Sequence, residues 1–311
     1  MGLPVAVVGA GPLGAATALA LTRRAVGEVV LVDGGDERAT WRNSGGSICW
    51  YRPDPVKADL IRRTADAILA RVEAGAPIRV RRTPYLILAR GVLVPALNVA
   101  SGDVVADLVR QAEAGGVARV DVGRVHAVVR RGAGWTVRGE RGAVDAGVVL
   151  LALGAGNPDL LPGLPRRLEK RQLFVLDLPV DADRADLPHT VVHVGGGSAY
   201  AFVKQFDEGL RVVVGQEGLV ADDDATGPVD HWAELLAAGL ADALPFLAPA
   251  RPERILWGRD WADKLPHVAT APGEPTLLAV NCGSAVRVCV AAGELAADAV
   301  MRAARGVPAA R

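Results

Sequence analysis

The sequence has little of what several protein classes require. Only three of its 311 residues are cysteine (Cys49, Cys282, Cys289), an odd number without a CxxC spacing. That argues against a disulfide framework and for a reducing, cytoplasmic setting. Formal net charge is zero, so the basic surplus of a nucleic-acid binder is missing. The longest apolar stretch, around Gly147–Gly156, is about half of a membrane span. The N-terminus lacks the positive start of a signal peptide and already reads as a strand. Of five histidines only His189 and His193 are neighbours. They lie in a strand-like HTVVH with no carboxylate or third ligand nearby, so no metal site is expected. No serine sits in a GxSxG elbow, which excludes an α/β-hydrolase. Lysine is scarce: Lys57, Lys170, Lys204 and Lys264 are the only ones among 35 basic residues. The simplest source of that bias is GC-rich coding.

What is present is an apolar half, enough to exclude disorder. The length suits one large domain or two interlocked ones. Pro4–Val8 reads as a buried parallel strand and runs into Gly9-Ala10-Gly11-Pro12-Leu13-Gly14. Ala15–Arg24 reads as a helix, Glu28–Val32 as a second strand, and Asp33 ends it. This is a GxGxxG fingerprint in strand–turn–helix–strand–acid context. Gly9 allows the tight turn, Gly11 a close backbone approach to a pyrophosphate, and Gly14 close helix–strand packing. The helix start at Pro12-Leu13-Gly14 offers N–H groups to phosphates, and Asp33 can accept hydrogen bonds from a ribose diol. With no arginine beside Asp33, an unphosphorylated adenosine ribose is favoured, as in FAD or NAD.

The later chain favours FAD. Ala58–Glu73 is an amphipathic helix ending at Gly75. Asp103–Ala114 is another, with Ser101 as candidate cap and Gly115-Gly116 as stop. From Val117 to Leu153 the pattern turns to β-strands joined by glycine turns. A β-meander inserted after a βαβ start and leading to Ala152-Leu153-Gly154-Ala155-Gly156 is the layout of FAD-binding oxidoreductases.

These residues resemble the D-amino-acid-oxidase superfamily of FAD enzymes, nearest to its glycine- and sarcosine-oxidase branch. The resemblance covers nearly the whole chain. Asn43-Ser44-Gly45-Gly46-Ser47 is similar to the small-residue loop that passes the flavin pyrophosphate and ring. Tyr51-Arg52-Pro53 resembles the arginine-bearing segment near the flavin. Val125 matches the strand position whose backbone meets the adenine. Leu153 and Gly154 lie in the A-x-G-A-like strand end. Trp261–Val268 is similar to a TPDxxP segment, and Cys282–Asp298 to the GHG loop and helix that close over the flavin. In that loop Gly283, Ser284, Ala285, Val286 and Arg287 match cofactor-contacting positions, with Ser284 and Ala285 replacing the usual His and second Gly. Arg211 and Arg287 stand where sarcosine-type members carry lysines, associated with oxygen reactivity and the substrate carboxylate respectively. An arginine fork holds a carboxylate at least as well, but mimics an oxygen-activating lysine poorly.

The fold implied is α/β, α+β overall: a Rossmann-like FAD-binding domain with an inserted β-meander, and a second, mostly antiparallel-sheet substrate domain. Residues 1–78, 94–163 and 271–311 form the first. Residues 79–93 and 164–270 form the second, with a helix at Leu235–Ala243. The implied activity is oxidation of the C–N bond of an amino acid or related amine, with non-covalent FAD and no metal. Arg52, Arg211 and Arg287 are the candidate charged groups, and Tyr51, Trp261 and His267 the pocket walls. Two other readings stand beside it. The Gly195-Gly196-Gly197-Ser198 cluster suggests an NAD(P)H-driven flavin reductase or monooxygenase. The altered TPDxxP-like and GHG-like segments suggest a catalytically inactive FAD-binding partner subunit. The chain is shorter than is usual for the family, which implies a more open pocket, a bulky or carrier-borne substrate, or a partner that completes the site; a homo-oligomer or partner subunit is a separate expectation. A tailoring role in small-molecule biosynthesis fits these departures.

Overall fold

A computed structural model describes residues 3–35, 39–44, 46–50, 54–82, 85–87, 92–161, 168–178, 189–194, 199–206, 209–220, 232–261 and 265–306. The chain opens with β1 (Val5–Val8), α1 (Pro12–Thr22), β2 (Val29–Asp33) and β3 (Ser47–Ile48). Helix α2 (Pro55–Glu73) is capped by Asp54, whose carboxylate accepts from the Val56 and Lys57 N–H groups at 2.9 and 3.3 Å. Four short strands follow: β4 (Val80–Arg82), β5 (Tyr85–Ile87), β6 (Val92–Val94) and β7 (Leu97–Val99). After α3 (Ser101–Ala114) come β8 (Ala118–Asp121), β9 (Val125–Arg131), β10 (Gly134–Gly139), β11 (Ala143–Ala146), β12 (Val148–Leu151) and the short α4 (Asn157–Leu160). Long strands β13 (Leu168–Leu178), β14 (His189–Val194), β15 (Ala199–Phe206) and β16 (Gly209–Val220) precede α5 (Trp232–Leu235), a wide helical turn and α6 (Ala241–Ala243). The chain closes with β17 (Arg254–Trp261), β18 (His267–Ala271), β19 (Glu274–Asn281) and α7 (Cys289–Ala304).

The first sheet has the order β18-β19-β12-β1-β2-β8. It is parallel except for β18, which pairs antiparallel with β19. All four residues of β1 are buried, as a parallel strand covered on both faces requires. Alternation then sorts the side chains. Val5, Val7, Leu31, Leu150 and Val280 join the core under α1, α3 and α7, while Ala6, Val8, Val32, Leu151 and Ala279 join the core under Trp135 and Val137 of β10. Helices α1 and α7 touch backbone to backbone: a Cβ on Gly293 would lie 2.7 Å from the main chain of Ala16. The meander expected from the glycine turns is the antiparallel sheet β11-β10-β9.

A second large sheet runs β17-β13-β16-β15-β14-β5-β6, antiparallel except for β14 beside β5. Leu176, Ala201, Val212 and Val214 of this sheet pack under Trp232, Leu235, Leu240, Leu244 and Leu247. The helix expected at Leu235–Ala243 is α5, the wide turn Leu236–Leu240 with Gly239 at φ 112°, and α6. Two strands lie elsewhere than the segment boundaries implied. β4 pairs with β7 in the small sheet β3-β7-β4, and β18 is the edge of the first sheet. Among the described residues no helix is long and apolar enough to cross a membrane.

Candidate functional site

The carboxyl ends of β1, β2, β12 and β19 share one edge of the first sheet, where open α/β sheets bind ligands. At the end of β1, Gly9 has φ 105°, and a Cβ there would lie 2.7 Å from the Ala152 carbonyl oxygen. A Cβ on Gly14 would collide with the Gly9 carbonyl oxygen. These two glycines let the turn, the helix and β12 converge. Helix α1 starts from Gly11 with Pro12 in its first turn, no side-chain cap and no acid there. Its first N–H groups, those of Leu13 and Gly14 among them, are the donors a helix leaves for an anion.

Asp33 closes β2. Its Oδ1 accepts the Gly35 N–H at 3.2 Å, and its Oδ2 accepts Arg119 Nη2 at 2.5 Å. The Asp33 hydrogen bond, foremost, raises the Arg119 pKa. The expectation that no arginine stands beside Asp33 is therefore corrected. Arg119 is 86 positions away in sequence but lies on β8, the parallel neighbour of β2. The turn leading into Val125 packs on the same strand end. The Val122 N–H reaches the Asp33 carbonyl at 3.3 Å, and a Cβ on Gly34 would lie 2.6 Å from the Gly123 carbonyl oxygen. Val125 itself starts β9, half-buried.

The small-residue loop is tied down on both sides. Asn43 ends a short helical turn, Thr40–Asn43. Ser44 Oγ and Ser101 Oγ are 2.8 Å apart, and the Ser44 hydroxyl also accepts the Gly46 N–H at 3.3 Å. Ser101 is thus not the cap of α3; its position is the first of the helix, and its hydroxyl serves the loop. Ser47 is buried in β3 opposite Asn98, and its carbonyl accepts Arg287 Nε at 3.0 Å. Gly45, Tyr51 and Arg52 lie outside the described residues, as do the Gly195–Ser198 cluster and the side chain of Asn43.

At the end of β12, Gly154 has φ 60° and its carbonyl accepts the Trp261 indole N–H at 3.1 Å. Trp261 is 1% exposed, so it braces this strand end from β17. The Leu153 N–H donates to Asn157 Oδ1 at 2.8 Å. The Asn157 amide donates in turn to the Val280 carbonyl at 3.0 Å and to Asn281 Oδ1 at 2.6 Å. This buried clip joins the ends of β12 and β19. Beyond it Gly283 is buried, Ser284 adopts φ 60°, and Ala285–Val288 forms a helical turn that buries Val286 and carries Arg287. His267 is half-buried at the start of β18, opposite Asn281. Arg211 lies on β16 in register with Asp177 and Lys204, with its side chain outside the described residues.

All three cysteines are buried and free. Burial, foremost, pushes the Cys289 thiol up to about 12, the behaviour of an inert core thiol. Among the described residues no group of His, Cys, Asp and Glu could hold a metal ion. Arg119, Asn157 and Asn281 were not legible as site residues in the sequence. An asparagine ending a buried strand, Asn281 of β19, was the one local signal; the others act across strands.

The glycine cradle, the uncapped helix and the acid at the end of β2 fit the diphosphate and adenosine ribose of a dinucleotide. The FAD-dependent oxidoreductase family model matches residues 4–100 and 91–299. No curated relative matches the chain in sequence. Among solved structures, the L-proline dehydrogenase from P. horikoshii superposes with a TM-score of 0.77 at 14% identity, covering 99% of this chain and 94% of its own. The glycine oxidase from Geobacillus kaustophilus does so with 0.71 at 19%, covering 96% and 95%. The iminodiacetate oxidase from Chelativorans sp. BNC1 gives 0.64 at 23%, covering 99% and 96%. The chain belongs to the DAO family of FAD-dependent oxidoreductases.

Proposed function

We propose that the protein oxidises the C–N bond of an amino acid or related amine with non-covalently held FAD. The observation that carries this reading is the family match over nearly the whole chain, together with amino-acid and amine enzymes among the solved structures that share its fold. When bound, FAD supplies the electron acceptor that takes a hydride equivalent from the substrate carbon bearing nitrogen.

The chain's own residues bind, orient and screen. The Gly9–Gly14 turn and the start of α1 hold the diphosphate, and Asp33 holds the adenosine ribose. Buried cysteines support non-covalent binding. The pocket is proposed at the seam where the strand ends of the first sheet meet the large antiparallel sheet, a seam spanned by the Trp261–Gly154 hydrogen bond. Arg52 and Arg211 are proposed to face substrate or flavin, and Arg287 is proposed to anchor a carboxylate. Positive charge there disfavours an ammonium and so favours the neutral amine that oxidation requires. His267 is proposed as a pocket wall. The substrate is accordingly anionic or neutral, and we include in the proposal a carrier-borne one in a biosynthetic tailoring step.

The test is product analysis. Holoprotein incubated with single amino acids and N-methyl amines should release a carbonyl compound together with ammonia or amine, trapped and identified by mass. No carbonyl product from any member, with or without an artificial electron acceptor, contradicts the proposal.

A further inference from the structure

The phosphate turn has a roof that the fingerprint does not include. A Cβ on Gly11 would lie 3.2 Å from Trp41 Nε1 and 3.4 Å from Trp41 Cδ1. The indole therefore turns its N–H edge toward the face of Gly11 that a diphosphate approaches. Trp135, Trp232 and Trp261 each place their indole N–H on a protein acceptor, at 3.0, 3.0 and 3.1 Å. The Trp41 N–H, like that of Trp50, has no such acceptor among the described residues. The Arg42 guanidinium lies 4.7 Å from the Trp41 ring centroid, within cation–π range. A donor and a cation thus stand together at the uncapped start of an eleven-residue helix.

We propose that Trp41 and Arg42 form a diphosphate clamp, in which the indole N–H donates to a diphosphate oxygen of FAD and Arg42, positioned by the ring, supplies positive charge. An indole N–H is a donor only, so an anionic oxygen suits it. A guanidinium stacked on a ring loses less freedom when it meets an anion than a loose side chain does. The clamp rests on the FAD assignment.

The test is binding, independent of turnover. Apoprotein is titrated with FAD by flavin fluorescence, and ADP, which carries the diphosphate without the flavin, is measured by displacement. Trp41→Phe keeps the ring and removes the donor. Arg42→Gln removes the charge, and Arg42→Lys restores it. Each of the first two variants should weaken FAD and ADP alike by about tenfold, the scale of one hydrogen bond or charge contact. Arg42→Gln should also flatten the salt dependence of Kd, and Arg42→Lys should recover part of both. FAD affinity within twofold of wild type, with unchanged salt dependence, overturns the clamp. So does a loss seen with FAD but not ADP, which would place the residues at the flavin end. Should Trp41→Phe fail to fold, the exposed Arg42 variants decide. Wild-type apoprotein that takes up no FAD refutes the cofactor assignment, and the clamp with it.

Discussion

Arg287 Nε donates to the Ser47 carbonyl at 3.0 Å across 240 positions of sequence. One hydrogen bond thus ties the small-residue loop that follows β2 to the turn that enters the last helix. Both segments border the proposed cofactor site, so the bond holds the site's two lips together. Arg287→Ala should lower the stability of the apoprotein by about 1.5–3 kcal/mol, the range for a hydrogen bond to a charged group, and weaken FAD binding as well. Arg287→Lys places a methylene where Nε was, with the ammonium one atom further on, and should recover little. Thermal unfolding of the apoproteins and FAD titration check this.

Gly14 has no room for a methyl group, because the Gly9 carbonyl oxygen occupies the place of its Cβ. Gly14→Ala should force α1 away from β1 and yield protein that is destabilised by about 1–3 kcal/mol and purifies colourless. Gly11→Val, which pushes on Trp41 instead, should fold but lose FAD. The ratio of flavin to protein absorbance after purification separates the two.

Ser284 sits at φ 60° without being glycine, a conformation costing roughly 1–2 kcal/mol for a residue with a side chain. Ser284→Gly should raise the melting temperature of the apoprotein. A fall would mean that the hydroxyl makes a contact worth more than the backbone strain.

Asp107 is 2% exposed and gathers Arg71 at 2.9 and 3.1 Å, Arg110 at 3.2 Å and Gln111 at 2.7 Å. Burial alone would raise its pKa, but the Arg71 hydrogen bond and charge, with Gln111 and Arg110, hold it below the ordinary carboxylate range. A depressed folded-state value stabilises the protein above the unfolded pKa of about 3.9. That stability is lost as pH falls through the folded value. Asp107→Asn should cost about 2–3 kcal/mol at pH 7, given that Arg71 is partly exposed. It should also flatten the decline in melting temperature between pH 5 and pH 3 relative to wild type.

The parts of the fold that are contiguous in sequence were legible there. The run from Val5 to Asp33 encodes strand, turn, helix and strand in one stretch, and the glycine turns after Val117 mark the meander. Contacts between distant strands were not. Arg119 meets Asp33 only because β8 lies beside β2, and no spacing rule links positions 33 and 119. Ser101 reads as a cap, since a serine before a helix usually is one, yet Ser44 takes its hydroxyl. Trp41 lies in no motif, and only the packed chain brings it beside Gly11. The family resemblance supplied the site segments, while their mutual ties, Arg287 to Ser47 and Asn157 to Asn281, are properties of the packed chain.

An amine or amino acid is expected to reduce the flavin of this protein. Anaerobic mixing of holoprotein with a panel of amino acids and N-methyl amines, followed at the visible flavin band, tests it directly. Bleaching by at least one member, without NAD(P)H, is the expected result. A flavin that stays yellow with every amine yet bleaches with NAD(P)H would contradict it, as would one that no reductant of either class bleaches.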